Sequence, residues 1–221
     1  MLTLFIGTLV LTLGVQWWLR STYGRWERVA NASGLTGADT ARAILRANGL
    51  HDVKVEAVPG QLSDHYDPRT KTVRLSEAHF RVPSVAGAAV AAHEVGHALQ
   101  HAKAYAPLQI RSSLVPVAQI GQNFGPWIVV GGFVLGVAGM VEVGIALFGA
   151  AVLFQLVTLP VEFDASKRAV VEMERLGLAT SADVGGSKQV LNAAALTYVA
   201  AAAASVAYLM YYVMMFMGNR D

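Results

Sequence analysis

The chain has 221 residues, of which 54% are hydrophobic and only 14% are charged, and its mean hydropathy is +0.45. This composition excludes an ordinary soluble domain and indicates a membrane protein in contact with the lipid bilayer. Cysteine is absent, which excludes disulfides and thiolate zinc ligands and leaves histidine and carboxylate as metal-binding groups. The net charge of +2 comes without a long basic run, so we expect no nucleic-acid partner.

Residues 1–20 predict an N-terminal transmembrane anchor. The run at 2–19 carries no charge and is long enough to cross a hydrocarbon core of about 30 Å. No basic segment precedes it and no small-residue cleavage site follows it, so an anchor is expected rather than a signal peptide. The arginines that follow directly are Arg20, Arg25 and Arg28. By the positive-inside tendency, the N-terminus lies outside and the next segment lies in the cytoplasm.

Residues 21–113 predict a water-exposed domain of α+β type. Thr36 and Asp39 can form a capping box for a short amphipathic helix. The alternating run at 53–58 and the paired runs at 63–76 then predict a small sheet that precedes the next helix.

His93, Glu94 and His97 form an H-E-x-x-H pattern in an apolar, alanine-rich run that predicts a helix at 84–103, with Ser84 as its N-cap. Positions four apart share one helix face, so both imidazoles can bind one metal ion. Glu94 lies about 100° around the axis, where its carboxylate can take a proton from a bound water. The pattern predicts a zinc (Zn²⁺) hydrolase with Glu94 as the catalytic base.

His101 continues the four-residue spacing but does not complete the site. It lies about 12 Å along the helix from His93, too far for both to bind one ion through bonds of about 2.0–2.1 Å. Gln100 and Lys103 stand where the metzincin pattern has its glycine and its last histidine. The third ligand must therefore come from another segment.

The motif makes residues 21–113 a zincin-like catalytic domain, and one strand of its sheet is a candidate for contact with substrate. In zincins generally, a sheet lies beside the active-site helix, and its edge strand can pair with an extended peptide. We take residues 73–75 as the candidate edge, with a purely structural hairpin as the alternative.

Residues 114–160 predict a transmembrane hairpin, with spans at 118–139 and 143–159 joined near Glu142. The basic residues that flank it are Arg111, Lys167, Arg168 and Arg175. This charge bias places the tip outside and both flanks in the cytoplasm.

A fourth span is predicted at 193–217, inside a C-terminal helix at 191–218 whose small residues favour close helix packing. The fold class is therefore a mainly α, multi-span membrane protein with four transmembrane helices and both ends outside. The charge of Arg220 opposes this placement, and Asp221 beside it offsets that charge.

Residues 161–190 predict a helix and loop that carry the third zinc ligand. Zincins with a His-His-Glu set take the glutamate from a helix downstream of H-E-x-x-H, and Glu162 fits this position. A simple role for Glu162 at the helix N-terminus is the alternative. Asp164 is either a partner that orients a ligand histidine or the ligand itself, because Ser166 stands where related zincins have a supporting acid.

Four stretches carry a resemblance to a known family: DPRTKTVRLS, AAHEVGHALQHA, LPVEFDASKRA and KQVLNAAALTYVAAA. They resemble the YugP-like family of bacterial neutral zinc metallopeptidases, which are small multi-span membrane proteins. The resemblance covers most of the chain after about residue 63. It implies a membrane-bound zinc protease with His93, His97 and Glu162 as ligands and Glu94 as the catalytic residue.

The expected function is hydrolysis of peptide bonds in a protein or peptide substrate by a zinc-activated water, at the cytoplasmic face of the cell membrane. Candidates for the oxyanion donor are Arg111, His65, Tyr66 and Tyr198. One alternative is a membrane scaffold or adaptor with a structural zinc, in which protein groups fill all four positions. A second is an intramembrane protease of the site-2 type. The expected function and both alternatives are compatible with membrane-protein partners or regulators.

Overall fold

A computed structural model describes residues 2–218 of the chain and shows a mainly helical protein with one small sheet, as predicted. The helices are α1 (Leu2–Glu27), α2 (Gly37–Ala47), α3 (Glu77–Arg81), α4 (Val85–Ala102), α5 (Ala106–Leu135), α6 (Ala138–Arg175) and α7 (Ser181–Gly218). The strands are β1 (Lys54–Val58), β2 (His65–Asp67) and β3 (Thr72–Ser76). The predictions about Arg220 and Asp221 lie outside the described residues.

The chain divides into two compact units. The first comprises Met1–Gly14, Ala106–Pro160 and Thr197–Asp221, and the second comprises Val15–Tyr105 and Val161–Leu196. Helices α1, α6 and α7 therefore contribute residues to both units. Every residue of the predicted H-E-x-x-H pattern, and Glu162 with it, falls in the second unit.

Three described helices, rather than four, are long and apolar enough to cross a membrane: α1, α6 and α7. The predicted span at 118–139 falls in α5, and the count of four spans is wrong by this measure. Polar side chains interrupt the apolar character of α5, as at Gln122 and Asn123, and the helix also contains Pro116 and Pro126. The placement of both chain ends outside rested on the count of four and is not retained.

The turn between α5 and α6 and the start of the third-ligand helix also differ from prediction. The turn lies at Gly136, which has a φ of +65°, and Glu142 lies inside α6. The sequence predicts a separate helix from residue 161, but this segment continues α6, which contains Pro160 and ends at Arg175. A proline removes one backbone hydrogen bond and does not by itself end a helix where neighbouring groups compensate.

Within the first unit, α5 packs closely against α6. A Cβ atom on Gly121 would lie 2.0 Å from the Leu147 carbonyl oxygen, so only glycine permits this approach. Val129, Val141 and Phe148 are buried in the same core.

The sheet of the second unit has the strand order β1-β3-β2, with β1 parallel and β2 antiparallel to β3. Residues 73–75 lie in the central strand β3, so their prediction as a sheet edge is wrong. The alternation of side chains in this run shows which face is buried, and it does not show how many neighbours pair with the strand. The edge strands are β1 and β2.

Helix α4 lies against the sheet, in contact with β2 and β3. The predicted cap is present at its start, where the Ser84 side chain accepts a hydrogen bond from the Gly87 N–H at 3.0 Å. Val73 and Leu75 of β3 and Val95 of α4 are fully buried in one core. Helix α4 therefore carries its histidines on a packed and fixed element.

Candidate metal centre

Two histidines of α4 and one glutamate of α6 converge in the second unit. The Nε2 atom of His93 lies 3.3 Å from Glu162 Oε2, and that of His97 lies 3.7 Å from the same oxygen. The two imidazole rings meet edge to face, at 85° and 4.7 Å between centroids. One ligand atom from each residue lies within 4.8 Å of the other two, so the group could hold a metal ion.

The spacing of these atoms fits a tetrahedral zinc ion. Zinc binds histidine and carboxylate at about 2.0–2.2 Å, which places two tetrahedral ligand atoms about 3.4 Å apart. The two histidine-to-glutamate distances, 3.3 and 3.7 Å, lie on either side of this value. Two imidazoles and one carboxylate are also the donor set of many catalytic zinc sites, which leave one position for water.

Gly96 allows α4 and α6 to approach at this point. A Cβ atom there would lie 2.5 Å from the carbonyl oxygen of Ala165, so a side chain would push the helices apart. Gly96 stands between the two histidines in sequence, and Ala165 is three residues after Glu162. The close contact therefore lies beside the converging groups and sets their distance.

The outer ring nitrogen of His97, Nδ1, is the one that does not face Glu162, and it contacts a buried amide. His97 Nδ1 lies 3.0 Å from Gln100 Oε1, and Gln100 is fully buried. The amide nitrogen of Gln100 donates to the Val161 carbonyl oxygen at 2.7 Å and to Asp164 Oδ2 at 2.9 Å. Gln100 thus ties α4 to α6.

His93 has a different outer partner. Its Nδ1 atom lies 3.1 Å from the hydroxyl of Ser166. Ser166 is four residues after Glu162, on the same face of α6, and occupies the position where a supporting acid was expected. A hydroxyl can donate or accept, so Ser166 orients the ring without fixing which nitrogen carries the proton.

Asp164 lies outside the group of three. Its carboxylate accepts hydrogen bonds from Gln100 and from Arg168 Nε, and the Arg168 guanidinium lies over the Tyr105 ring at 5.6 Å. The structure therefore places Glu162, and not Asp164, against the two histidines. Asp164 reaches His97 only through Gln100.

Glu94 is largely buried, with 8% of its surface exposed, and lies one position after His93. Burial opposes a charge on the His97 ring, but the hydrogen bond to Glu162 and the negative charges of Glu94 and Glu162 outweigh it and raise the pKa of His97. The site is thus rich in negative charge and attracts a cation.

His101, Tyr66 and His65, the other candidates that lie in the second unit, have hydrogen-bond partners of their own. His101 Nδ1 lies 2.9 Å from the Tyr66 hydroxyl, and burial raises the pKa of Tyr66 to about 12, so this hydroxyl is neutral at pH 7. His65 Nδ1 lies 2.8 Å from the Ser63 carbonyl oxygen. Arg111 and Tyr198 belong to the first unit.

Gln100, Ser166 and Gly96 were not predicted to act at the site. Helical spacing did indicate that Gln100 and Ser166 lie near the ligands, because Gln100 follows His97 by three residues and Ser166 follows Glu162 by four. No comparable signal existed for Gly96, since the sequence does not show where two helices cross.

A helical chain with three candidate spans and a buried group of two histidines and one glutamate has the features of a membrane metalloprotein. The chain belongs to the family described as "Putative neutral zinc metallopeptidase", whose model matches residues 1–217. It is also 46% identical, over 99% of both chains, to the "Putative membrane protease YugP" of Bacillus subtilis (strain 168). These matches confirm the family resemblance noted in the sequence. No solved structure matches the chain.

Proposed function

We propose that this protein is a membrane-bound zinc metallopeptidase of the zincin type, with His93, His97 and Glu162 as metal ligands and Glu94 as the catalytic base. The observation that carries the proposal is the convergence of three ligand atoms from two helices within 4.8 Å. Membership of a zinc metallopeptidase family supports zinc as the metal.

Each residue of the site has a separate task. Zinc, when bound, supplies Lewis acidity, which makes water acidic enough to lose a proton near neutral pH. Glu94 stands beside the ligands on α4, takes that proton and returns it to the leaving amine. Gln100 and Ser166 hold the outer nitrogens of the two histidines, so the imidazoles stay aimed at one point.

The edge strand β2 is the proposed place where an extended peptide substrate binds. It pairs with β3 on one side only within the described residues, and peptides commonly add to such an edge by main-chain hydrogen bonds. Tyr66 of β2 contacts His101 of α4 through a 2.9 Å hydrogen bond, one helical turn beyond His97. The edge is therefore tied to the helix that carries the metal ligands.

The active site is proposed to face the cytoplasm at the cell membrane. The residues that support this side by charge bias are Arg20, Arg25 and Arg28, which follow the apolar part of α1. Helix α4 is not among the described helices that qualify as membrane spans, so cleavage outside the bilayer is favoured over cleavage within it.

Catalysis is also favoured over a structural zinc in a scaffold or adaptor. A structural site needs a fourth protein ligand, and the two nearest candidates in sequence were His101 and Asp164. His101 is hydrogen-bonded to Tyr66, and Asp164 is hydrogen-bonded to Gln100 and Arg168. Both candidates are therefore engaged with groups other than the three proposed ligands.

The test is zinc content and peptide cleavage by the detergent-purified protein beside its Glu94→Gln variant. The amide cannot accept a proton, so we expect cleavage to fall by about 100- to 10,000-fold while zinc stoichiometry stays at the parent value. Cleavage by Glu94→Gln at the parent rate, or a parent protein that binds no zinc, would overturn the proposal.

A further inference from the structure

The side-chain amide of Gln100 contacts a proposed metal ligand, His97, and its surroundings define its orientation. It is fully buried, so each of its polar atoms must find a partner inside the protein. One end of the amide faces His97 Nδ1, and the other end faces two oxygens, Val161 O and Asp164 Oδ2.

The Val161 carbonyl oxygen has no proton to donate and can only accept a hydrogen bond. The Asp164 oxygen beside it already accepts from Arg168 Nε. The amide nitrogen must therefore face Val161 and Asp164, and the amide oxygen must face His97.

The orientation of the amide determines the proton on the histidine. Since Gln100 Oε1 can only accept, His97 Nδ1 must donate and therefore carries a proton. In the neutral ring the lone pair then lies on Nε2, the atom that faces Glu162 Oε2 at 3.7 Å. Nε2 and Glu162 Oε2 are then two of the atoms that a zinc ion at this site would bind.

We propose that Gln100 is a positioning residue that fixes His97 in the tautomer with Nδ1 protonated, so that Nε2 is always offered to zinc. This inference rests on the proposed function. Arg168 and Asp164 complete the arrangement: Arg168 Nε donates to the Asp164 carboxylate, the carboxylate accepts from the amide nitrogen, and the amide oxygen accepts from the imidazole.

The two ligand histidines are therefore held unequally. Ser166 can rotate its hydroxyl to suit either tautomer of His93, whereas Gln100 cannot turn without placing its oxygen against two other acceptors. His97 is the ligand whose proton is fixed before the metal arrives.

The experiment measures zinc affinity of the full-length protein in detergent by competition with a chromophoric chelator. Gln100→Met keeps the side-chain size but removes both ends of the amide, and we expect zinc binding to weaken by about 10- to 100-fold. The matched control is Gln189→Met, which makes the same change at an exposed glutamine that accepts from Trp26 Nε1. Its zinc affinity should stay within about twofold of the parent, since no metal ligand loses a partner.

A second pair of variants separates orientation from packing. Gln100→Glu places a carboxylate against Val161 O and Asp164, and it should weaken zinc binding. Adding Asp164→Asn to Gln100→Glu supplies an amide donor to the new carboxylate. We expect the double variant to recover at least about tenfold of the loss, although Asp164→Asn alone weakens binding. Side chains that only fill space would give additive losses.

Parent-like zinc affinity in Gln100→Met would overturn the role of Gln100, and so would additive losses in the double variant. In both cases the proposed function stands, because the parent still binds zinc. A parent protein without zinc affinity would instead overturn the proposed function and this inference together.

Discussion

Two histidine–carboxylate clusters lie in the second unit, and they use their hydrogen-bonding groups in opposite ways. In the first, His79 is buried with each ring nitrogen directed to a different oxygen. Its Nε2 lies 2.9 Å from the Tyr23 hydroxyl, and its Nδ1 lies 2.9 Å from Asp64 and 2.8 Å from the Ser76 hydroxyl. Asp64 also accepts from the Ser76 N–H at 2.7 Å.

In the second cluster, the ring nitrogens converge on one oxygen instead of facing separate partners. The Nε2 atoms of His93 and His97 face one oxygen of Glu162. The protein thus holds three potential ligand atoms at the distances at which a metal ion binds.

The comparison shows that a buried histidine beside a carboxylate does not by itself identify a metal site. His79 meets that description fully, yet its donors and acceptors already satisfy one another. What distinguishes the centre at His93 and His97 is that ligand atoms from three residues point to one place.

The largest effect that separates the two clusters is expected from removal of each carboxylate. Glu162→Gln removes a proposed ligand, and zinc affinity should fall by more than about 100-fold, beyond the loss of an outer partner. Asp64→Ala should leave zinc affinity within about twofold but cost roughly 3 kcal/mol of stability, because several donors lose a charged acceptor. Chelator competition and thermal unfolding of the metal-free proteins measure the two quantities. Parent-like zinc binding by Glu162→Gln would remove the distinction between the clusters.

The next largest effects on stability and zinc affinity are expected at two glycines, Gly96 and Gly37, each in close contact with backbone beside one cluster. A Cβ atom on Gly96 would lie 2.5 Å from Ala165 O, and one on Gly37 would lie 2.4 Å from His79 O. Alanine at each position should cost about 1–3 kcal/mol through overpacking. Only Gly96→Ala should also lower zinc affinity, by about tenfold, because it alone separates helices that carry different ligands.

The same chelator titration, applied to Gly96→Ala and Gly37→Ala, checks this. Equal losses of zinc affinity in both variants would mean that the centre responds to general stability and not to the spacing of α4 and α6. Gly185→Ala provides a neutral reference, since a Cβ atom there meets no other atom within 4 Å.

Much of this centre could be read from the sequence, because helical periodicity is a local property. H-E-x-x-H predicted that His93 and His97 share a face, and the structure brings their Nε2 atoms together with Glu162. The choice between Glu162 and Asp164 depended on the rotation of α6 against α4, which packing at Gly96 determines and no local pattern reports.

The errors in the fold have the same origin. The sequence shows the period of a strand but not its neighbours, so the prediction of residues 73–75 as an edge misses the pairing of β1 with β3. It also does not show that the predicted span at 143–159 and the predicted helix from residue 161 form one continuous helix, α6. Both outcomes depend on contacts made after the elements form.

The smallest expected effect compares the serines that contact each cluster. Ser166→Ala removes the partner of His93 Nδ1, and zinc affinity should fall by a few-fold to about tenfold, less than for Gln100→Met, because water can replace a hydroxyl at a half-buried ring. Ser76→Ala removes a similar contact to His79 and should cost about 1 kcal/mol of stability without changing zinc affinity.

Ser166→Asp should change zinc affinity in the opposite direction to Ser166→Ala. It tests whether the hydrogen bond to His93 is the cause of the effect. A carboxylate at this position would accept from His93 Nδ1–H and make the ring a stronger ligand, so zinc affinity should rise above the parent value. Affinity below that of Ser166→Ala would show that negative charge from Glu94 and Glu162 already limits the site. In that case the hydroxyl at position 166 is the tolerated partner because it orients His93 without adding charge.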